Sequence, residues 1–287
     1  MNIEKGDTIG IIALSGDCER EKVEKAVSNI EKLGYKVKLS GNVFDKNRYL
    51  AGSDEDKIKE LEKFFLDKDI KLILTARGGY GAIRLINKID YEIIKNNPKP
   101  FCGFSDVTAL LLMIYKRTGI ITYHSPMALS DFGCYEISDF TIKNFISTLT
   151  NSQQIFEGNK IYQKGSAEGI LWGGNLSTLV SLCGQDFIPQ KDFIFFTEDL
   201  NEPVYKIDKM FQQLLNIETF SKNCKGIVLG DFLDVDNEKW LEEYFYELAT
   251  RMNIPVAGGF KITHSKDKIT LPIGIKASLN GLKLNLN

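Results

Sequence analysis

The stretch Lys99-Pro100-Phe101-Cys102-Gly103-Phe104-Ser105-Asp106-Val107-Thr108-Ala109-Leu110 sets one serine between two apolar runs. Phe101 to Phe104 reads as a buried strand and Val107 to Tyr115 as a buried helix, so Ser105 falls at a strand-to-helix turn. Backbone N–H groups at a helix start point into such a turn and favour negative charge there. A hydroxyl presented at that point is the layout that acyl-transfer enzymes give a nucleophile. Ser105 or Asp106 can equally serve as a plain N-cap. A nucleophilic serine needs a base, and the chain has two histidines, His124 and His264. His264 lies in the polar loop Ile262-Thr263-His264-Ser265-Lys266-Asp267, and loops off strand ends are where catalytic groups are usually presented. His124 follows a strand and precedes Ser125-Pro126. Either could be a hydrogen-bonded structural histidine. Thr197-Glu198-Asp199 follows the very apolar run Phe193–Phe196. A carboxylate there is costly to bury unless paired, and an imidazole N–H is one partner that would justify it. A solvent-bonded carboxylate, or one capping the helix at Tyr205, is the plainer alternative.

Ala76-Arg77-Gly78-Gly79-Tyr80-Gly81 is a glycine-rich turn between a strand and a helix. It lacks the G-K-[ST] ending of a P-loop and is not G-x-G-x-x-G, so it gives a nucleotide fingerprint little support. Successive glycines do let backbone N–H groups approach a ligand closely, as an oxyanion hole demands. They also suit a tight turn that needs positive φ. Arg77, Tyr80 and Trp172 are the candidate substrate-binding residues. Arg77 can bind a carboxylate bidentately or simply fix the glycine turn, and Trp172 can line a pocket or pack in a core. No metal or other cofactor is expected: neither histidine stands in H-E-x-x-H, and the cysteines are scattered.

Those residues need a scaffold, and the pattern around them supplies an α/β one. Apolar strands at Thr8–Leu14, Tyr35–Leu39, Lys71–Thr75, Phe101–Phe104 and Gly119–Tyr123 alternate with helices at Glu21–Leu33, Asp54–Phe65 and near Ala82–Ile89. This alternation argues for a parallel sheet with helices on both faces. A helix near Phe140–Thr148 follows, and the polar stretch around 151–166 reads as a linker between a domain over 1–150 and another over 167–287. The second half is α/β with shorter β elements: strands at Gly169–Trp172, Phe193–Thr197, Gly226–Gly230 and Ile254–Ala257, helices at Tyr205–Leu215 and Asn237–Met252, and a hairpin-like Lys268–Leu284. The chain has 287 residues, 43% hydrophobic and 26% charged, with a formal net charge of -2. That composition is ordinary for a soluble protein and gives no electrostatic case for nucleic acid or an anionic membrane. Five cysteines without a C-x-x-C pair, and a start without a basic, then apolar leader, point to a reduced cytoplasmic protein.

Taken together, these segments resemble the LD-carboxypeptidase family, the S66 serine peptidases, which includes the microcin C self-immunity peptidases. The resemblance rests on Arg77-Gly78-Gly79-Tyr80-Gly81, Gly103-Phe104-Ser105-Asp106, His124-Ser125-Pro126, Gly173-Gly174-Asn175-Leu176, Glu198-Asp199, and His264 followed by Leu271-Pro272-Ile273-Gly274. It implies a triad with Ser105 as nucleophile, His264 as base and Glu198 as the orienting carboxylate. It also implies an oxyanion hole from the N–H of Asp106 and of Gly78 or Gly79. The implied fold is a flavodoxin-like N-terminal domain plus a smaller swivelling β/α C-terminal domain. Removal of the terminal D-amino acid from murein tetrapeptides is the implied activity, cleavage of aminoacyl or peptidyl nucleotide conjugates is the alternative, and a homodimer is the implied assembly. A non-catalytic two-domain binding module is the competing reading from another class. Thr263, Ser125 and Gln185 depart from the family pattern at positions outside the triad, which bears on substrate preference rather than catalysis.

Overall fold

Strands that are apolar on both sides must be covered on both faces, and in the first half of the chain the intervening helices provide the cover. The computed structural model describes residues 3–150 and 153–287, which divide into two units. The first takes the described residues before 151 together with Thr270–Pro272; the second takes those from 153 to Ile269 together with Ile273–Asn287.

In chain order the first unit contains β1 (Thr8–Ile12), α1 (Arg20–Lys32), β2 (Lys36–Leu39), α2 (Asp54–Leu66), β3 (Ile70–Thr75), α3 (Tyr91–Asn96), β4 (Phe101–Gly103), α4 (Thr108–Thr118), β5 (Thr122–His124) and α5 (Asp139–Thr150). Its strands are parallel in the order β2-β1-β3-β4-β5. That order is the flavodoxin-like doubly wound one, in which ligands gather outside the carboxyl ends of the strands. On one face, Val23, Ala26 and Ile30 of α1 pack with Phe132, Phe145 and Leu149 against Ile9, Ile11, Leu72 and Leu74. On the other, Phe65 of α2 stacks on Phe101 of β4 at 6.1 Å. Each such large apolar side chain, fully buried, is worth about 1.5–3 kcal/mol. The helix expected near Ala82–Ile89 is a single 3-10 turn, Ala82–Arg84, and a new helix starts where the Asp90 carboxylate accepts from the N–H of Glu92.

The second unit contains β6 (Gln154–Glu157), β7 (Lys160–Gln163), β8 (Ser166–Asn175), α6 (Leu176–Val180), β9 (Phe193–Leu200), α7 (Val204–Leu215), α8 (Glu218–Asn223), β10 (Cys224–Leu233), α9 (Glu238–Met252) and β11 (Val256–Gly258). After β12 (Leu271–Ile273), β13 (Lys276–Asn280) and β14 (Lys283–Leu286) complete an eight-stranded sheet ordered β6-β14-β13-β8-β9-β10-β11-β7. Its centre, β8 to β11, is parallel and apolar; the outer strands pair antiparallel.

Two expectations change here. The stretch read as a linker is largely β6 and β7, with residues 151 and 152 outside the described part. Its polarity has a physical cause: β6 and β7 are the two edges of the sheet, where water takes the unpaired side. The hairpin expected over Lys268–Leu284 is confined to β13 and β14, while β12 joins the six-stranded sheet beside β5. Among the described residues, no helix is long and apolar enough to cross a membrane.

α2 begins with Ser53 capping the N–H of Asp56 at 3.1 Å, and Asp54 in its first turn is buried. Asp54 accepts from Arg84 Nε at 2.9 and 3.1 Å and from Lys88 Nζ at 3.0 Å. Arg84 first, then Lys88, hold its carboxyl down to about 2 from the ordinary 3.8. A carboxyl depressed on folding adds stability that is present above its unfolded value and lost as pH falls through its folded one. The stability difference between wild type and Asp54→Asn is therefore expected to be full above about pH 4 and to vanish towards about pH 2. Thermal unfolding of both proteins across that range checks it, and a difference independent of pH would refute it.

Candidate active site

Ser105 ends the β4 crossover with φ +60°, the left-handed region that a residue with a Cβ seldom occupies. Holding it there costs on the order of 1 kcal/mol or more, so the surroundings must enforce it. A 3-10 turn, Ser105–Val107, precedes α4, whose N-cap position is Val107 and carries no side-chain cap. Neither Ser105 nor Asp106 caps α4, which removes the plain capping alternative. The neighbour that fits beside the serine is Gly78: a Cβ there would lie 3.0 Å from both Cβ and Oγ of Ser105 and 3.5 Å from the Asp106 nitrogen. Any larger residue would push the glycine turn off the serine. The Gly78 carbonyl accepts from the Gly16 N–H and from Arg77 Nε, each at 3.3 Å, and Arg77 Nη1 donates to the Asp17 carbonyl at 3.1 Å. In a planar trans peptide, anchoring that carbonyl turns the Gly79 N–H the opposite way.

The Asp106 side chain is buried and binds neighbouring loops instead of a helix end. One of its oxygens accepts from Ser15 Oγ at 2.6 Å and from the Ala82 N–H at 2.9 Å. Burial pushes its carboxyl upwards, opposed by Ser15, by the N–H groups of Ala82 and Gly81, and by the Lys57 ammonium. Ser15, Ala82 and Ser105 stand after β1, β3 and β4, so the carboxyl ends of three adjacent strands meet here.

In the second unit, Glu198 is fully buried near the end of β9 and His264 is 17% exposed in its loop. Glu198 Oε2 lies 2.7 Å from His264 Nδ1. The pair is set by close backbone packing. A Cβ on Gly173, at φ +153°, would stand 1.8 Å from the Phe196 carbonyl oxygen, so only glycine lets β8 run this close to β9. β8 then registers Asn175 against Glu198. Asn175 Oδ1 caps α6 through the Thr178 N–H at 3.1 Å, and Asn175 Nδ2 donates to Asp199 at 3.0 Å. Asp199 also accepts from the N–H of Ser177 at 2.8 Å. Burial first, with the adjacent Glu198 carboxylate, pushes Asp199 up to about 6. The histidine loop is closed by Ile269 N–H to the Lys261 carbonyl at 2.9 Å and tied to β10 by Asp231 N–H to the Ile262 carbonyl at 2.9 Å.

The structure thus brings Glu198 together with His264, and Ser105 together with Gly78 and Asp106; the serine belongs to the first unit, the other two triad candidates to the second. His124 is buried, edge-on to the Phe104 ring at 5.8 Å. Tyr80 is 46% exposed and leans on Tyr49 with ring centroids 5.9 Å apart. Trp172 is a correction: it is wholly buried among Phe187, Phe193, Phe195 and Phe220, an aromatic core with no face left for a substrate. Its place on β8, amid apolar neighbours, is the reason. Two residues were missed, Ser15 and Lys57. Lys57 carries a legible signal, since helical spacing sets it in line with Leu61 and Phe64 on the buried face of α2.

Comparison with known proteins follows the same division into halves. The family model for the LD-carboxypeptidase N-terminal domain matches residues 9–125, and that for the C-terminal domain matches residues 168–279. The chain is 34% identical to a probable murein peptide carboxypeptidase of Bacillus subtilis, over 97% of this chain and 90% of that protein. It is 29% identical to the microcin C7 self-immunity protein MccF of Escherichia coli, over 96% and 91%. The structure of a muramoyltetrapeptide carboxypeptidase from Oxalobacter formigenes superposes with a TM-score of 0.88 at 29% identity, covering 97% of each chain. With both halves matched and the likeness running through nearly the whole length, this chain belongs to the LD-carboxypeptidase family, peptidase S66.

Proposed function

We propose that the protein is a serine peptidase of the LD-carboxypeptidase type, releasing the terminal D-amino acid from murein tetrapeptides through an acyl-enzyme. The observation that carries this reading is the buried Glu198 carboxylate 2.7 Å from His264 Nδ1. An ionised carboxylate at that nitrogen holds the proton on Nδ1 and leaves Nε2 as the base. In the proposed reaction, Nε2 takes the Ser105 proton as Oγ attacks the scissile carbonyl carbon. The oxyanion accepts from the N–H of Asp106 and of the glycine turn, while Glu198 stabilises the imidazolium. His264 then gives its proton to the leaving amine as the C–N bond breaks. Water then attacks the ester carbonyl as it loses a proton to His264, and His264 returns that proton to Ser105 Oγ as the ester C–O bond breaks. Of Gly78 and Gly79, the anchored Gly78 carbonyl favours the Gly79 N–H as donor. Arg77 spends Nε on the Gly78 carbonyl and Nη1 on the Asp17 carbonyl, and its Nη2, 3.8 Å from where a Gly79 Cβ would stand, is suited to a substrate carboxylate. Tyr80 is proposed to flank the substrate. The five free cysteines support a reducing compartment, and we propose a cytoplasmic homodimer acting in peptidoglycan recycling.

The identity to MccF supports a second reading, a self-immunity peptidase that cleaves aminoacyl or peptidyl nucleotide conjugates. Incubation with a murein tetrapeptide and with an aminoacyl-sulfamoyl adenylate, followed by mass spectrometry, separates the two. Loss of the terminal D-amino acid from the tetrapeptide upholds the first, and cleavage of the adenylate alone upholds the second. Ser105→Ala is expected to lower tetrapeptide hydrolysis by about 10³-fold or more with the unfolding midpoint little changed, and undiminished turnover would remove Ser105 from the reaction. For Glu198→Gln, a loss of about 10²–10⁴ in kcat is expected, and a wild-type rate would free Glu198 of any role.

A further inference from the structure

Lys57 is wholly buried in the second turn of α2, on the face that also carries Leu61 and Phe64. An ammonium in that position has lost its water and needs anions in exchange. Asp54 Oδ1 is 3.6 Å from its Nζ, but Asp54 is already engaged by Arg84 and Lys88. Lys57 Nζ makes no hydrogen bond among the described residues. Its other side meets the nucleophile region. Nζ lies 3.4 Å from where a Cβ would stand on Gly81, the last residue of the glycine turn. The charges that act on it are those of Asp54, Arg84 and Asp106. Asp106 is buried in turn: it accepts from the neutral Ser15 hydroxyl and from the N–H groups of Ala82 and Gly81, and the cation whose charge acts on it is Lys57.

The Asp106 carboxyl therefore does two jobs at once. Its hydrogen bonds fasten the chain after β1 and the start of the Ala82 turn to the residue following Ser105. The N–H of that same residue sits 3.5 Å from the Cβ position of Gly78. We propose that Lys57 is a positioning residue whose buried ammonium balances the Asp106 carboxylate, fixing the spacing of the Asp106 and glycine-turn N–H groups beside Ser105. Lys57 touches no reacting atom; it acts through Asp106. The proposal rests on the reading of Ser105 as nucleophile and of those N–H groups as oxyanion donors.

The test compares Lys57→Met, Asp106→Asn and the double variant in the full chain, with murein tetrapeptide as substrate. Lys57→Met is expected to lower kcat about tenfold or more with KM within about twofold, because misplaced donors weaken the transition state more than binding. In the double variant the amide keeps hydrogen-bonding capacity without an unbalanced charge, so its kcat should match Asp106→Asn and exceed Lys57→Met. A Lys57→Met kcat within about twofold of wild type overturns the proposal, as does a double variant whose loss is the product of the single losses. Should Lys57→Met fail to fold, a double variant that folds with the kcat of Asp106→Asn upholds the charge pairing, and one that also fails to fold overturns it. A fluorophosphonate probe of Ser105 gives a readout that needs no peptide. If wild type labels but cleaves no tetrapeptide, the substrate reading fails while the relative labelling rates still decide the role of Lys57.

Discussion

A charge set at the end of an apolar strand has to find a partner, and the candidate residues of each unit are built on that requirement. In the second unit, β9 delivers Glu198 out of four consecutive buried apolar residues, and the imidazole of His264 meets it. In the first, Asp106 follows the apolar β4 and is met by a hydroxyl, backbone N–H groups and the field of a buried lysine. Losing one member of such a set leaves an uncompensated charge, which costs about 3–5 kcal/mol, whereas an exposed pair is worth little. Geometry at these strand ends is therefore enforced by the cost of getting it wrong.

Glycine does the complementary work. Where charge fixes which groups must meet, Gly78 and Gly173 fix how near the backbones come. Gly78 allows a second loop to lie against the strained Ser105, and Gly173 allows β8 to lie against β9. The two glycine motifs thus belong to the site although neither side chain can carry chemistry.

Much of this was legible in the sequence, for identifiable reasons. Runs such as Leu72–Leu74 and Phe193–Phe196 are apolar without interruption, which marks them as interior strands and locates Glu198 at an exit. The serine turn, the glycine turn and the loop histidine stand between such segments and were readable as loop chemistry. Polar edge strands were not: β6 and β7 look like linker because an edge needs little apolar surface. The Ala82–Ile89 segment has the apolar spacing of a helix, yet a second start at Asp90 ends it after one turn. Trp172 is ambiguous in one dimension, since the partners that enclose it lie at Phe187, Phe193, Phe195 and Phe220. Likewise, Lys57 on α2 comes beside Gly81, the end of the glycine turn, only in the fold.

The placement of β12 has a consequence for how the chain is made. The strand beside β5 is Leu271–Ile273, more than a hundred residues downstream of the sheet it joins. During synthesis, the first unit must wait with the β5 edge open until nearly the whole chain has emerged. An open edge is a template for wrong pairing, and a contact of such long range closes slowly. The first unit thus completes its sheet last, and a fragment cut at the boundary between the units would carry that unpaired edge permanently.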